Sequence, residues 1–230
     1  MAVVTISKEF GCAGDYVAER VAKILGYKLV NKEIIEYVSI LSNTDRSTVE
    51  DYDEERHSSL KATISKYIDL SMFKDIFKFE DNELKYCSLK VFDEPNLFHE
   101  NVKTDLSFDS ERYKHLVELV FKKLAQKGNV VLVGRGGQFI LKDFEKSFHV
   151  RFVAPLSHRV KWVSEREKID KKSAEVKINE IERKKGNYIE HYYNEDINDP
   201  NHYHIVVNLG KFSIQEATDV VVASLNAVYH

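Results

Sequence analysis

The sequence predicts an α/β fold built on a parallel sheet, and three observations carry that expectation. Short, mostly apolar runs such as Val3-Val4-Thr5-Ile6 and Val130-Val131-Leu132-Val133 have the β-branched composition of strands buried on both faces. Between such runs lie segments with apolar residues at helical spacing, beginning with Val17, Ala18, Val21, Ala22 and Leu25. Two strand ends run directly into glycines, and in an open parallel sheet the ligand crevice lies at those ends.

The first strand, residues 3–6, passes through Gly11 and Gly14 into a helix that stops at Gly26. A strand that feeds a helix through a turn with few side chains aims several backbone N–H groups into one concavity, at the positive end of the helix dipole. Phosphate oxygens bind at such a place. The full nucleotide signature would place a Lys and a hydroxyl residue right after the second glycine, and this chain has Asp15 and Tyr16 there. Two glycines that merely satisfy a turn are the alternative at this point. Residues 28–30 form a second short strand. Asn31 is placed to cap a helix through Leu41, with Ile34, Ile35, Val38 and Leu41 inward.

Residues 43–108 break the alternation and read as a helical insertion. Leu60, Ile64, Tyr67, Ile68 and Met72, followed by Phe73, Phe77 and Phe79, suit an amphipathic helix. Its aromatic residues are those of a core, of a homodimer interface or of a base-stacking surface. Ser110 is placed to cap the next helix, which ends at Gly128. The strand at 130–133 then ends in Gly134-Arg135-Gly136-Gly137. Arg135 is flanked by glycines, with an open approach and no local partner, so it is expected to contact a phosphate or carboxylate. The alternative is a surface-turn Arg paired with a nearby acid.

A strand at 149–153 leads through Pro155 into a helix opened by Ser157, and a longer helix from about Ser173 carries Arg183-Lys184-Lys185. Most of their charges, interlaced with Glu165, Glu167, Glu180 and Glu182, belong to a solvated face. Arg166, Arg183 and Lys185 are the cations expected to act. A fifth strand spans 204–208, and Ser213 caps the last helix. His202 and His204 lack a third ligand and are read as non-metal residues.

Composition narrows the class. The chain has 230 residues, 43% hydrophobic and 31% charged, as in one soluble α/β domain with an insertion. A formal net charge of -3 argues against general nucleic-acid binding. Cys12 and Cys87 are far apart, which suits reducing cytosol and suggests neither a disulfide framework nor zinc. No signal peptide or membrane-length apolar run is legible, so a cytoplasmic location is expected.

Ser7-Lys8-Glu9-Phe10-Gly11-Cys12-Ala13-Gly14, Gly26-Tyr27-Lys28-Leu29-Val30-Asn31-Lys32-Glu33, Val131-Leu132-Val133-Gly134-Arg135-Gly136 and Val153-Ala154-Pro155-Leu156 resemble, in that order, the bacterial cytidylate kinase-like proteins. Tyr192-Tyr193 and Asp199-Pro200 extend the match. The resemblance implies a three-layer P-loop kinase fold with strand order 2-3-1-4-5, a nucleoside monophosphate-binding insertion and a helical lid at 157–195. It implies phosphoryl transfer from ATP with Mg²⁺ to a nucleoside monophosphate such as CMP. Gly11, Cys12, Ala13, Gly14, Asp15 and Tyr16 would wrap the donor phosphates together with Arg183. Lys8, Arg166 and Lys185 would be catalytic, and Lys32 and Arg135 would bind the acceptor. The family branch has Arg at the position of Lys8, a basic residue at Asp15, and Asp-Arg at Asn31-Lys32. A catalytically degenerate protein that binds a nucleotide or anion, as a sensor or interaction module, is the other reading. Asp15 discriminates: it should swing outward in a working kinase and inward over the phosphate seat in a degenerate one.

Overall fold

The computed structural model describes residues 2–53 and 108–229. They fall into two compact units, residues 1–31 with 124–230, and residues 32–123. The aromatic run from Leu60 to Phe79, and with it the dimerisation and base-stacking expectations, lies outside the described residues.

The first unit is built on a five-stranded sheet in the order β2-β3-β1-β4-β5. Its strands are β1 (Val3–Lys8), β2 (Lys28–Val30), β3 (Val130–Val133), β4 (Ser147–Val153) and β5 (Ile205–Asn208). Every pairing is parallel, with Val3 opposite both Val130 and Ser147. The five expected strands and their order are thus present. β1 and β3 are buried throughout because they lie inside the sheet, which is why their sequences show no polar alternation.

Helix α1 (Gly14–Leu25) and the C-terminal helix pack on one sheet face. Val17, Ala18 and Val21 meet Val4, Ile6, Val150, Phe152, Ala217 and Val221 there. Each fully buried aliphatic side chain of this kind contributes about 1.5–3 kcal/mol. Gly26 ends α1 in the left-handed conformation, as its position predicts.

In the second unit, helix α2 (Glu33–Ser42), helix α3 (Arg46–Glu50) and most of helix α4 (Ser110–Lys127) bury Ile34, Val38, Leu41, Tyr113, Leu116 and Val120. Tyr113 Oη donates to Asp53 at 2.7 Å. Arg112 donates to the Ser42 carbonyl at 3.1 Å.

The first unit continues with α5 (Gly137–Ile140), α6 (Leu156–Glu167), α7 (Lys171–Tyr193) and α8 (Ile214–Tyr229). Three expected caps and one helix start need correction. Asn31 is not the N-cap of α2; Lys32 holds that position, without a side-chain capping bond. Asp109, not Ser110, accepts from the Arg112 N–H. Ser157 lies inside α6, after Pro155. The helix expected from about Ser173 starts at Lys171, and Asp170 caps it by accepting from Ser173 N at 3.0 Å. In the two aspartate cases the carboxylate is the stronger acceptor for a free N–H at a helix start. Ser213 does cap α8, in a reciprocal pair of bonds with Glu216.

Candidate phosphate-binding site

The loop from Glu9 to Ala13 joins the C-terminal end of β1 to the start of α1. Glu9 N–H bonds the Phe152 carbonyl, so the chain leaves the sheet still paired to β4. Gly11 then takes φ +80°, and a Cβ there would lie 2.7 Å from Val163 Cγ2 on α6, so only glycine fits. Ala13 takes φ +68°, a conformation that costs an alanine of order 1–2 kcal/mol. Such strain is concentrated in functional loops.

The N–H groups of Gly11, Ala13 and Asp15 have no acceptor among the described residues. They lie at the N-terminus of a 12-residue helix, which is the arrangement that binds anions. Cys12 does not offer its side chain to that concavity. Its thiol is 1% exposed and 3.9 Å from the Phe152 carbonyl. Burial pushes the thiol pKa up, partly opposed by the charge of Lys8. Cys12 and Gly14 therefore shape the loop by their backbone. Tyr16 is exposed in the first turn of α1, edge-on to Trp162 at 5.8 Å.

The side chains around the loop form a bonded shell. Lys8 is buried, and its Nζ lies 3.2 Å from Asp15 Oδ1. Asn31 Nδ2 donates to the same oxygen at 3.4 Å. Asp15 thus meets neither description expected of it: it turns toward Lys8, yet its side chain stays 46% exposed. Lys185, 4% exposed on α7, donates to the Lys8 carbonyl at 3.1 Å. Glu182, one turn before it, accepts from the Phe10 N–H at 2.7 Å. α7 is therefore bonded to the loop backbone at two points. Polar loop groups buried against a helix need partners, and Glu182 and Lys185 supply them.

The other cations are distributed more widely. Arg166 is exposed, bonded to Glu167 at 3.0 Å and set 5.7 Å from the Phe10 ring. Arg183 is exposed on α7. Lys32 is half-buried and belongs to the second unit.

Arg135 departs most from expectation. It is 0% exposed, and its Nη1 donates to the Asn31 carbonyl (3.0 Å), Asn31 Oδ1 (3.2 Å) and the Val133 carbonyl (3.2 Å). The guanidinium is thus buried rather than open, and these acceptors lie at the ends of β2 and β3. Gly134, Arg135 and Gly136 all have positive φ, which turns the Arg135 side chain back over the end of the sheet. Tyr193 covers this turn, donating to the Arg135 carbonyl at 3.2 Å.

Sequence reasoning missed Glu9, Asn31, Arg151, Arg159 and Glu182. Glu9 accepts from the Ala154 N–H at 2.7 Å and lies 3.5 Å from Arg159 Nε, which ties the loop to the start of α6. A charged residue inside an apolar central strand, as Arg151 is, is a signal that the sequence does offer.

The family model of the cytidylate kinase-like family matches residues 3–211, and that range takes in the loop, the Arg135 turn and both helices α6 and α7. The chain belongs to the cytidylate kinase-like family. Its cytidylate kinase relatives include that of Methanocaldococcus jannaschii, 29% identical over 122 residues, which are 51% of this chain and 68% of the relative. The cytidylate kinase of Staphylothermus marinus is 28% identical over 152 residues, 65% of this chain and 75% of the relative. Among solved structures, an uncharacterized protein from Eubacterium ventriosum superposes with a TM-score of 0.61 at 18% identity, covering 98% of each chain. The five-stranded parallel sheet has the order 2-3-1-4-5 and carries helices on both sides. No helix among the described residues is long and apolar enough to cross a membrane.

Proposed function

We propose that this cytidylate kinase-like protein is an ATP-dependent phosphotransferase whose acceptor is a nucleoside monophosphate of the CMP type or a related small phosphate. The observation that carries the reading is the set of three unpartnered N–H groups at the start of α1, beside the buried Lys8. Membership of the family supports it.

In this reading the donor phosphates lie on the N–H groups of Gly11, Ala13 and Asp15, in the loop whose shape Cys12 and Gly14 set. Tyr16 flanks their exit. Lys8 is the cation that meets the transferring group, and Lys185 is a positioning residue that holds the Lys8 backbone. Arg166 and Arg183 are exposed and able to swing, which suits contacts with donor phosphates made on closure. Lys32 stands on the acceptor side on the resemblance alone. Arg135 serves that side by fixing Asn31 and the end of β3.

Phosphoryl transfer asks little covalent chemistry of the protein, so positioning and charge stabilisation carry the catalysis. Magnesium in such sites is held by one or two carboxylates together with substrate phosphates. Asp15 fits that requirement: it stands at the loop, its Oδ2 has no partner among the described residues, and its side chain is half exposed. Bound there, Mg²⁺ would neutralise phosphate charge.

The Lys8–Asp15 pair favours a second reading, a binding module whose loop cation is tied up by its own carboxylate, which would repel an incoming donor phosphate. ADP release from ATP, measured with Mg²⁺ and a panel of nucleoside monophosphates that includes CMP, separates the two. The phosphotransferase reading expects Mg²⁺-dependent turnover with at least one acceptor, lost in Lys8→Met. Binding of an ATP analogue without turnover on any acceptor would leave the binding module.

A further inference from the structure

Arg151 stands apart from the other buried cations of the first unit. Lys8 faces Asp15, Arg159 faces Glu9, and Lys185 and Arg135 meet backbone carbonyls. Arg151, 3% exposed, has neither a carboxylate nor a backbone carbonyl partner among the described residues. Its Nη1 donates to Ser7 Oγ at 2.8 Å, its Nη2 donates to Asn198 Oδ1 at 2.8 Å, and its guanidinium lies 5.7 Å from the centre of the Tyr203 ring. The nearest carboxylate in this chain of bonds is one residue removed, because Asn198 donates in turn to Asp196. A guanidinium taken out of water among neutral oxygens has lost its hydration without gaining an opposite charge, and that is costly unless an anion completes the site.

Its place in the sheet says which anion. Arg151 on β4 is in register with Ser7 on β1, one residue before the strand's end. Ser7 and Lys8 are successive residues of one strand, so their side chains leave opposite faces of the sheet. Lys8 is in register with Phe152, which belongs to the core under α1. The end of β1 is therefore straddled by two cations, Lys8 on the face of the loop helix and Arg151 on the other. In-line phosphoryl transfer sets the attacking and leaving oxygens on opposite sides of phosphorus, so donor and acceptor phosphates approach from two sides.

We infer that Arg151, assisted by Ser7, forms an anion subsite for the phosphate of the acceptor, on the sheet face opposite Lys8. Asn198 is exposed on the link after α7, and its Oδ1 takes the donor that a phosphate oxygen would take. The identity of the anion as an acceptor phosphate rests on the phosphotransferase reading. The anion site itself does not, so a chain without turnover would still bind phosphate there.

Inorganic phosphate is the probe. It is titrated calorimetrically into the full chain saturated with a non-hydrolysable ATP analogue, and in parallel into the Lys8→Met variant saturated in the same way, so that the loop is already filled in both titrations. The expected result is one phosphate bound in both, weakened tenfold or more by Arg151→Met and only partly by Arg151→Lys. The affinity of Arg151→Met for the ATP analogue stays within twofold of native. Asn198→Ala removes the stand-in oxygen, so phosphate binds at native strength or more tightly. No phosphate bound in either background would overturn the inference, as would equal phosphate affinity in native protein and a folded Arg151→Met. If Arg151→Met does not fold, Asn198→Ala decides: weaker phosphate binding than native identifies the cluster as a tie between the link and the sheet.

Discussion

Asp15→Asn removes one charge from the loop and keeps the size and polarity of the side chain. Asp15 Oδ1 lies 3.2 Å from Lys8 Nζ, with the two side chains 46% and 8% exposed. A triphosphate on the loop would bring negative charge to roughly 4 Å from that carboxylate, at a cost of about 1 kcal/mol in water and about 4 kcal/mol at an effective dielectric of 20. Because Asp15 is nearly half exposed, the lower part of the range applies, about 1–2 kcal/mol, and relief of that repulsion tightens binding roughly five- to thirtyfold. The folded protein loses an exposed ion pair and a favourable carboxylate at a helix start, about 1 kcal/mol together, or a melting temperature lower by about 2–4 °C. Calorimetric titration with a non-hydrolysable ATP analogue, without and with Mg²⁺, reads the first effect and a thermal melt the second. Without Mg²⁺ the variant should bind more tightly. With Mg²⁺ the gain should shrink if Asp15 helps to hold the ion. Native binding already in the micromolar range, changed less than twofold by the substitution in either condition, refutes the self-blocking argument and leaves Asp15 as a helix-terminal residue.

Two further perturbations test the frame around the site. His149 is 5% exposed in β4, with Nδ1 2.7 Å from Thr5 Oγ1 and Nε2 3.1 Å from Ser147 Oγ. Burial, and secondarily the charge of His204, push its pKa down from 6.5 to about 4. The folded pKa lies below the unfolded one, so this contribution is fully present above about pH 6.5 and is lost as the pH falls toward about 4, on the order of 3 kcal/mol in all. His204, on the exposed edge of the same cluster, has its pKa lowered by partial desolvation of its ring and steepens the loss. Urea unfolding across that window should show the slope in native protein and a flatter one in His149→Gln; parallel slopes would refute the assignment. Gly136 has φ +71°, and a Cβ there would lie 2.4 Å from Tyr193 Cε2. Gly136→Ala should destabilise by at least about 2 kcal/mol, of which about 1–2 is the left-handed backbone and remains in a Tyr193→Ala background. A loss under about 0.5 kcal/mol in native background would mean that the ring and turn adjust freely.

The strands were legible because burial on both faces leaves its mark within four to six consecutive residues, as in Val3–Lys8 and Val130–Val133. Their order was not, since no periodicity records which strand lies beside which; it came from the resemblance. Caps failed where a side chain had a better use elsewhere. Asn31 is the clearest case, because its oxygen is taken by Arg135, 104 residues away, and its amide by Asp15. The same distance explains Arg135, whose local sequence of glycines suggests an open approach while two of its acceptors come from Asn31 at the end of β2. The bond from Phe10 to Glu182 spans 172 residues and lies beyond any local pattern.

Which parts of the lid can move follows from which of its groups are committed to the loop. Lys185 and Glu182 both bond loop backbone, and separating α7 from the loop would leave the Lys8 carbonyl and the Phe10 N–H needing new partners, at about 1–3 kcal/mol for each buried group left unmade. Arg166 carries no such commitment: it is held by Glu167, which also takes Lys177 across the turn between α6 and α7. Exposed pairs of this kind contribute about 1 kcal/mol or less. On the proposed phosphotransferase reading, closure over a donor is therefore expected at the Arg166 end of α6 and the first turns of α7, with the Lys185 segment staying fixed beside Lys8.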